Sequence, residues 1–101
     1  MMMGTVDCDE KALVALLVRH DVAGLSVFGS VLRDDFSSSS DIDFLVRFHN
    51  SREKSLFDLI DLKQELEAFF ERPIDLIEEG SVVNPIRQKE INRNLRVIYA
   101  A

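Results

Sequence analysis

The sequence of 101 residues predicts an α/β (α+β) domain, a small mixed sheet of three to four strands covered by helices. Three observations carry this expectation. Ile42, Phe44, Val46 and Phe48 alternate with Asp41, Asp43, Leu45 and Arg47, which is the period of a strand with one apolar face. Leu56, Leu59, Ile60, Leu66, Phe69 and Phe70 recur at helical intervals and mark a long helix over residues 54–71. Arg72-Pro73 stops that helix, and the short apolar run Ile74-Asp75-Leu76-Ile77 follows as a further strand. A strand, a long helix and a second strand make the crossover that joins parallel neighbours.

The remaining elements follow in chain order. Asp7 with Glu10 three positions later has capping-box spacing and predicts an amphipathic helix over about residues 8–20, with Leu13, Leu16, Leu17 and His20 on one face. Residues 24–28 read as a short strand, broken at Gly29 where a tight turn or close backbone approach is wanted. Ser30 is placed to cap a short helical turn through Val31, Leu32 and Arg33. Residues 34–40 are turn formers without a period and read as a loop, and residues 49–53 as a polar turn. Asn84-Pro85 has the signature of an N-cap with proline at the first helical position, opening a helix to about residue 92, and residues 95–99 form a short apolar end piece.

Composition limits what such a fold can do. With 47% hydrophobic and 30% charged residues, the whole chain, 1–101, is expected to be a single soluble domain with little core to spare. A net charge of −6 argues against a broad nucleic-acid surface, which needs clustered Lys and Arg. The single cysteine, Cys8, cannot form an internal disulfide and fits a reducing compartment. No apolar run approaches the roughly 18–20 residues of a membrane span. Met1-Met2-Met3-Gly4 lacks the blocks of a signal peptide, so the expected location is the cytoplasm.

Candidate site residues emerge from the predicted topology. Gly29-Ser30 lies at the exit of one strand and Asp41 at the entrance of the next, with too few residues between for a crossover, so these strands should be antiparallel neighbours. The long helix then makes the following strand parallel, with Asp75 near its start. Asp41, Asp43 and Asp75 are thereby expected at one end of one sheet. Asp41 and Asp43, two residues apart, should share a face with Cα atoms roughly 6.5–7 Å apart. Carboxylates aimed at one spot repel each other unless one is protonated or a cation is bound, and an apolar strand that buries Asp75 would cost several kcal/mol without a partner.

Such an arrangement suits phosphoryl or nucleotidyl transfer with Mg²⁺. Two ions roughly 3.5–4 Å apart would bridge carboxylates and phosphate oxygens. Asp41 and Asp43 would hold both ions, and Asp75 would complete the site that activates the acceptor hydroxyl. Gly29 would let the backbone approach a triphosphate, Ser30 would donate to its oxygens, and Arg33 either adds a charged contact or is merely solvated.

Gly29-Ser30, ten intervening residues, Asp41-x-Asp43 and a later Pro73-Ile74-Asp75-Leu76 resemble the polymerase-beta-like nucleotidyltransferase superfamily. Length and layout are similar to its minimal nucleotidyltransferases, exemplified by the MntA-like antitoxins of HEPN/MNT toxin–antitoxin pairs. The resemblance covers about Val22 to Tyr99. It implies phosphate contacts for Gly29 and Ser30, Mg²⁺ binding by Asp41, Asp43 and Asp75, and ATP as substrate. It also implies transfer of AMP to a tyrosine of a partner HEPN RNase toxin, the other half of a hetero-oligomer. This chain departs from the pattern at Asp34, where family members often carry a small residue, and that leaves the role of Arg33 open.

Other readings stand beside these. A catalytically silent antitoxin would neutralise its partner by occlusion, and a small-molecule nucleotidyltransferase would need a substrate pocket for which no segment is left over. Val82, Val83, Leu95, Val97 and Tyr99 either close the core or form a docking patch. The serine run reads as a surface connector, and Cys8, His20 and His49 as structural or incidental residues.

Overall fold

The computed structural model describes residues 2–3, 6–32, 40–81 and 84–101. Asp9, rather than Asp7, opens the first helix: its carboxylate accepts from the backbone N–H groups of Lys11 and Ala12 at 3.1 and 3.3 Å. Asp7 is instead part of a small antiparallel pair, β1 (Met2–Met3) with β2 (Val6–Asp7), which carries Met3 into the core. Helix α1 runs Glu10–Arg19 and buries Leu13, Leu16 and Leu17.

Strand β3 (Val22–Phe28) leads into a short 3₁₀ turn, Gly29–Leu32, and β4 (Ile42–Phe48) pairs with β3 antiparallel. Helix α2 (Leu56–Phe70) begins where the Ser55 N–H donates to the Asp58 carboxylate at 2.7 Å. It ends at Glu71, in the left-handed region at φ 55°, just ahead of Arg72-Pro73. Strand β5 (Ile74–Glu78) lies parallel to β4, so the strand–helix–strand reading holds. Asn84 caps α3 (Pro85–Arg93), its side chain accepting from Ile86 and Arg87, and the apolar end piece is a strand, β6 (Arg96–Ala100), antiparallel to β3. The main sheet is mixed and four-stranded, in the order β5-β4-β3-β6.

The two faces of this sheet differ. Alternation puts Leu25 and Val27 of β3, Ile42, Phe44, Val46 and Phe48 of β4, and Ile74 and Leu76 of β5 on one buried face. Leu13, Leu16 and Leu17 of α1 and Leu62 and Leu66 of α2 pack on it. Phe44 meets Phe70 with ring centroids 5.6 Å apart, and Phe70 meets Phe69 edge to face at 4.9 Å. Arg19 and Glu65, 2.8 Å apart, tie α1 to α2 at the rim. Leu56 and Ile60, expected on the core face of α2, are exposed, and Leu62 takes the core position. The opposite face carries Asp43, Leu45 and Arg47 of β4, and α3 lies over it with Ile91 as its buried side chain.

Among the described residues, no helix is long and apolar enough to cross a membrane.

Candidate active site

Register decides which acids meet. Phe28 pairs with Asp43 across β3 and β4, and Asp43 pairs with Asp75 across β4 and β5. Paired residues on adjacent strands point to the same face, and the strands lie about 4.8 Å apart. Asp43 and Asp75 therefore stand side by side on the face away from the core. Both line a cavity of about 810 Å³ together with Phe28 and Gly29, and α3 roofs it with Arg87, Glu90, Ile91, Arg93 and Asn94. A space of that size suits a small-molecule ligand.

Gly29 has a structural role beside the backbone approach expected from the sequence. It sits at φ 76°, which disfavours any side chain, and a Cβ built there would run into the Asp43 carboxylate. The missing side chain thus makes room for the carboxylate itself.

Asp41 lies at the same end of the sheet but one residue ahead of β4, and its side chain is exposed. Its backbone surroundings are fixed from the α2–β5 turn: the Ile42 N–H donates to the Pro73 carbonyl at 3.2 Å, and Arg72 Nη1 donates to the Ser40 carbonyl at 3.4 Å. Asp41 does not line the cavity, and among the described residues no three metal-ligating side chains are grouped. Nor does Asp75 carry the burial cost that its apolar strand suggested, because its side chain is about half exposed to the cavity. Gly29 and Ser30 begin the 3₁₀ turn, while the Ser30 side chain and the whole of Arg33 lie outside the described residues.

Arg87 is the residue that sequence reasoning missed. Its Nη2 lies 3.9 Å from Asp75 Oδ2. The only local signal was a cation in the first turn of a helix that has no acid there, against the preference of the helix dipole. Nothing in the spacing between residues 75 and 87 foretold that α3 would fold back over the sheet.

The donor set fits a hard divalent cation. Asp43 and Asp75 supply two carboxylates on one face, and Mg²⁺ typically takes one or two of these, filling its shell from phosphate oxygens and water. Among the described residues that line the cavity, three carboxylates, with Glu90, accompany the two guanidiniums of Arg87 and Arg93, so a triphosphate entering it would be helped by added cations.

A mixed sheet with α1 and α2 on one face, and on the other paired acids beside a glycine turn under α3, suits an enzyme that handles nucleotides. Residues 10–98 match the nucleotidyltransferase domain, and the chain belongs to that family. Within it the chain is of the minimal, MntA-like kind. It is 33% identical over 89 residues to a candidate protein adenylyltransferase of Methanocaldococcus jannaschii, covering 88% of this chain and 94% of that one. It is 34% identical over 90 residues to the protein adenylyltransferase MntA of Thermococcus cleftensis, covering 85% and 89%. Its fold is similar to a chain in the structure of a tri-AMPylated Shewanella oneidensis HEPN toxin in complex with an MNT antitoxin, at a TM-score of 0.63 and 18% identity, covering 91% and 70%. The chain is accordingly a nucleotidyltransferase, and the sequence resemblance to this family is borne out.

Proposed function

We propose that this protein transfers AMP from ATP to a tyrosine hydroxyl of a partner HEPN RNase toxin and so acts as its antitoxin. The observation that carries the reading is the Asp43–Asp75 register pair, opening with Gly29 on one cavity large enough for a nucleotide. The relatives named as protein adenylyltransferases support the acceptor class, and the HEPN–MNT complex supports the partner.

In this reading Asp43 and Asp75, with Asp41 completing the set, would hold Mg²⁺, as two ions. An ion held there would supply positive charge against the triphosphate and the leaving pyrophosphate. Gly29 leaves room for the Asp43 carboxylate and lets the backbone approach the triphosphate, and Ser30 and Arg33 contact the phosphates. The acceptor hydroxyl oxygen forms a bond to the α-phosphorus as the bond from that phosphorus to the bridging oxygen of the β-phosphate breaks. Pyrophosphate leaves with that bonding pair, and the hydroxyl proton passes to the Asp75 carboxylate. The whole chain, 1–101, works as one catalytic domain in the cytoplasm, where ATP and Mg²⁺ are supplied, and the toxin's own surface presents the tyrosine.

The test is incubation with α-labelled ATP, Mg²⁺ and a cognate HEPN toxin. Label on a toxin tyrosine, lost in Asp43→Asn and Asp75→Asn, is the expected outcome. Toxin inhibition that persists undiminished in both variants, without label, would replace the reading with neutralisation by occlusion.

A further inference from the structure

Helix α3 brings a cation to each end of the cavity roof, Arg87 in its first turn and Arg93 in its last. Arg87 lies against a carboxylate, that of Asp75. At 3.9 Å its Nη2 is beyond hydrogen-bond range of Asp75 Oδ2, and both side chains remain 49% exposed, so the pair is loose and solvated. A guanidinium has five N–H donors in a planar fork, a shape that matches phosphate oxygens two at a time.

The position is also costly for a purely structural ion pair. The first turns of α1 and α2 carry Glu10 and Asp58, the charge that the helix dipole favours, whereas α3 has no acid there and carries Arg87. Local preferences broken in this way are expected at functional sites. A positive helix end, a guanidinium beside it and a cavity bounded by carboxylates make sense together if an anion enters the cavity and cations reach the carboxylates.

We propose that Arg87 is a phosphate-binding residue of the nucleotide site, and that its contact with Asp75 is a resting position which it exchanges for phosphate oxygens when the nucleotide enters. The inference rests on the nucleotidyltransferase reading above and names a residue that this reading does not use. At rest, Arg87 screens Asp75 from the like charge of Asp43 and competes with free divalent cations for it. Once it moves to phosphate, Asp75 is released to a cation. Arg87 thus opposes cation binding in the absence of nucleotide and favours binding in its presence.

That opposition in sign gives the test. Arg87→Gln and Arg87→Lys are compared with wild type, without acceptor, in two titrations: Mn²⁺ alone, followed by electron paramagnetic resonance, and ATP with saturating Mg²⁺, followed by calorimetry. Arg87→Gln is expected to bind Mn²⁺ alone about two- to fivefold more tightly, as removal of an exposed ion pair allows. The same variant should bind Mg²⁺–ATP on the order of tenfold more weakly, the loss of charged hydrogen bonds to phosphate. Arg87→Lys, which keeps the charge without the fork, should fall between. Unchanged ATP affinity in Arg87→Gln would overturn the proposal, as would equal weakening of both titrations, the mark of a structural defect. Wild-type protein that bound Mn²⁺ without binding ATP would overturn the nucleotidyltransferase reading instead.

Discussion

One strand, β4, shows two kinds of design in alternate residues. On the inner face Ile42, Phe44 and Val46 are fully buried under α1 and α2, and Phe48 nearly so. On the outer face Asp43 and Leu45 are partly open and Arg47 is exposed, under an α3 whose buried side chain is Ile91. The inner face has close apolar packing, so its shape is fixed by the fold. The outer face keeps charged groups near water and leaves about 810 Å³ beside Asp43 and Asp75. Stability and chemistry are thereby separated within a single pleat, and substitutions should separate them too.

The largest effect is expected on the inner face. Phe44 is fully buried and packs against Phe70, so Phe44→Ala should cost about 3–5 kcal/mol of unfolding free energy. That is a large share of the roughly 5–15 kcal/mol available to a typical domain. Urea denaturation checks it, and a loss under about 1 kcal/mol would show that the two faces are not so different.

On the outer face of the neighbouring strand, β5, the expected pattern reverses. Asp75→Asn should change stability by no more than about 0.5 kcal/mol, since its side chain is half exposed, while adenylyl transfer falls on the order of a hundredfold or more. Single-turnover transfer rates and thermal melts, measured on the same preparation, place the variant on these two axes. A drop in melting temperature that matched the loss of rate would make the acid structural.

Two glycines sharpen the contrast further. Gly29 and Gly80 both have positive φ, 76° and 89°, so alanine at either should cost on the order of 1–2 kcal/mol in backbone strain. Only at Gly29 does the new methyl meet Asp43; at Gly80 nothing lies within 4 Å. Gly80→Ala is therefore expected to lose stability and keep its transfer rate per folded molecule, and Gly29→Ala to lose both. Equal rates in the two variants would mean that the Asp43 carboxylate tolerates displacement.

How much of this was legible in the sequence follows from the range over which each signal acts. Strand alternation at 42–48 and the helix before Arg72-Pro73 are local, period-driven features, and the antiparallel–parallel order followed from connection lengths. The meeting of Asp43 with Asp75 was reachable from strand directions alone. Three things were not. The first cap falls on Asp9 because Asp7 is engaged in the β1–β2 pair, a tertiary choice that competes with an equally good local spacing. Asp41 stays outside β4, since the strand begins only where Ile42 can donate to Pro73. Arg87 reaches Asp75 only because α3 folds back, and that depends on a single buried residue, Ile91, with no periodic stripe to announce it.

The smallest effect is expected where the inner face is anchored, at the start of α2. Asp58 accepts from the Ser55 N–H at 2.7 Å and from its hydroxyl at 3.2 Å. The backbone hydrogen bond, foremost, and the hydroxyl hold the carboxyl below its ordinary value of 3.8. A carboxyl depressed by folding stabilises the folded state above its unfolded pKa, and that contribution fades as the pH falls through the folded value. Asp58→Asn should therefore melt lower than wild type at neutral pH, with the gap closing once the pH drops below 3.8 and through the lowered folded value. Melting curves of both proteins across that range measure the gap directly. Asn can still accept a hydrogen bond at this position, so whatever gap survives at acid pH belongs to geometry, and only the part that closes belongs to charge. A gap that stayed constant from neutral to strongly acid pH would mean that the charge of Asp58 adds nothing, and that its part in starting α2 lies in hydrogen-bond geometry alone.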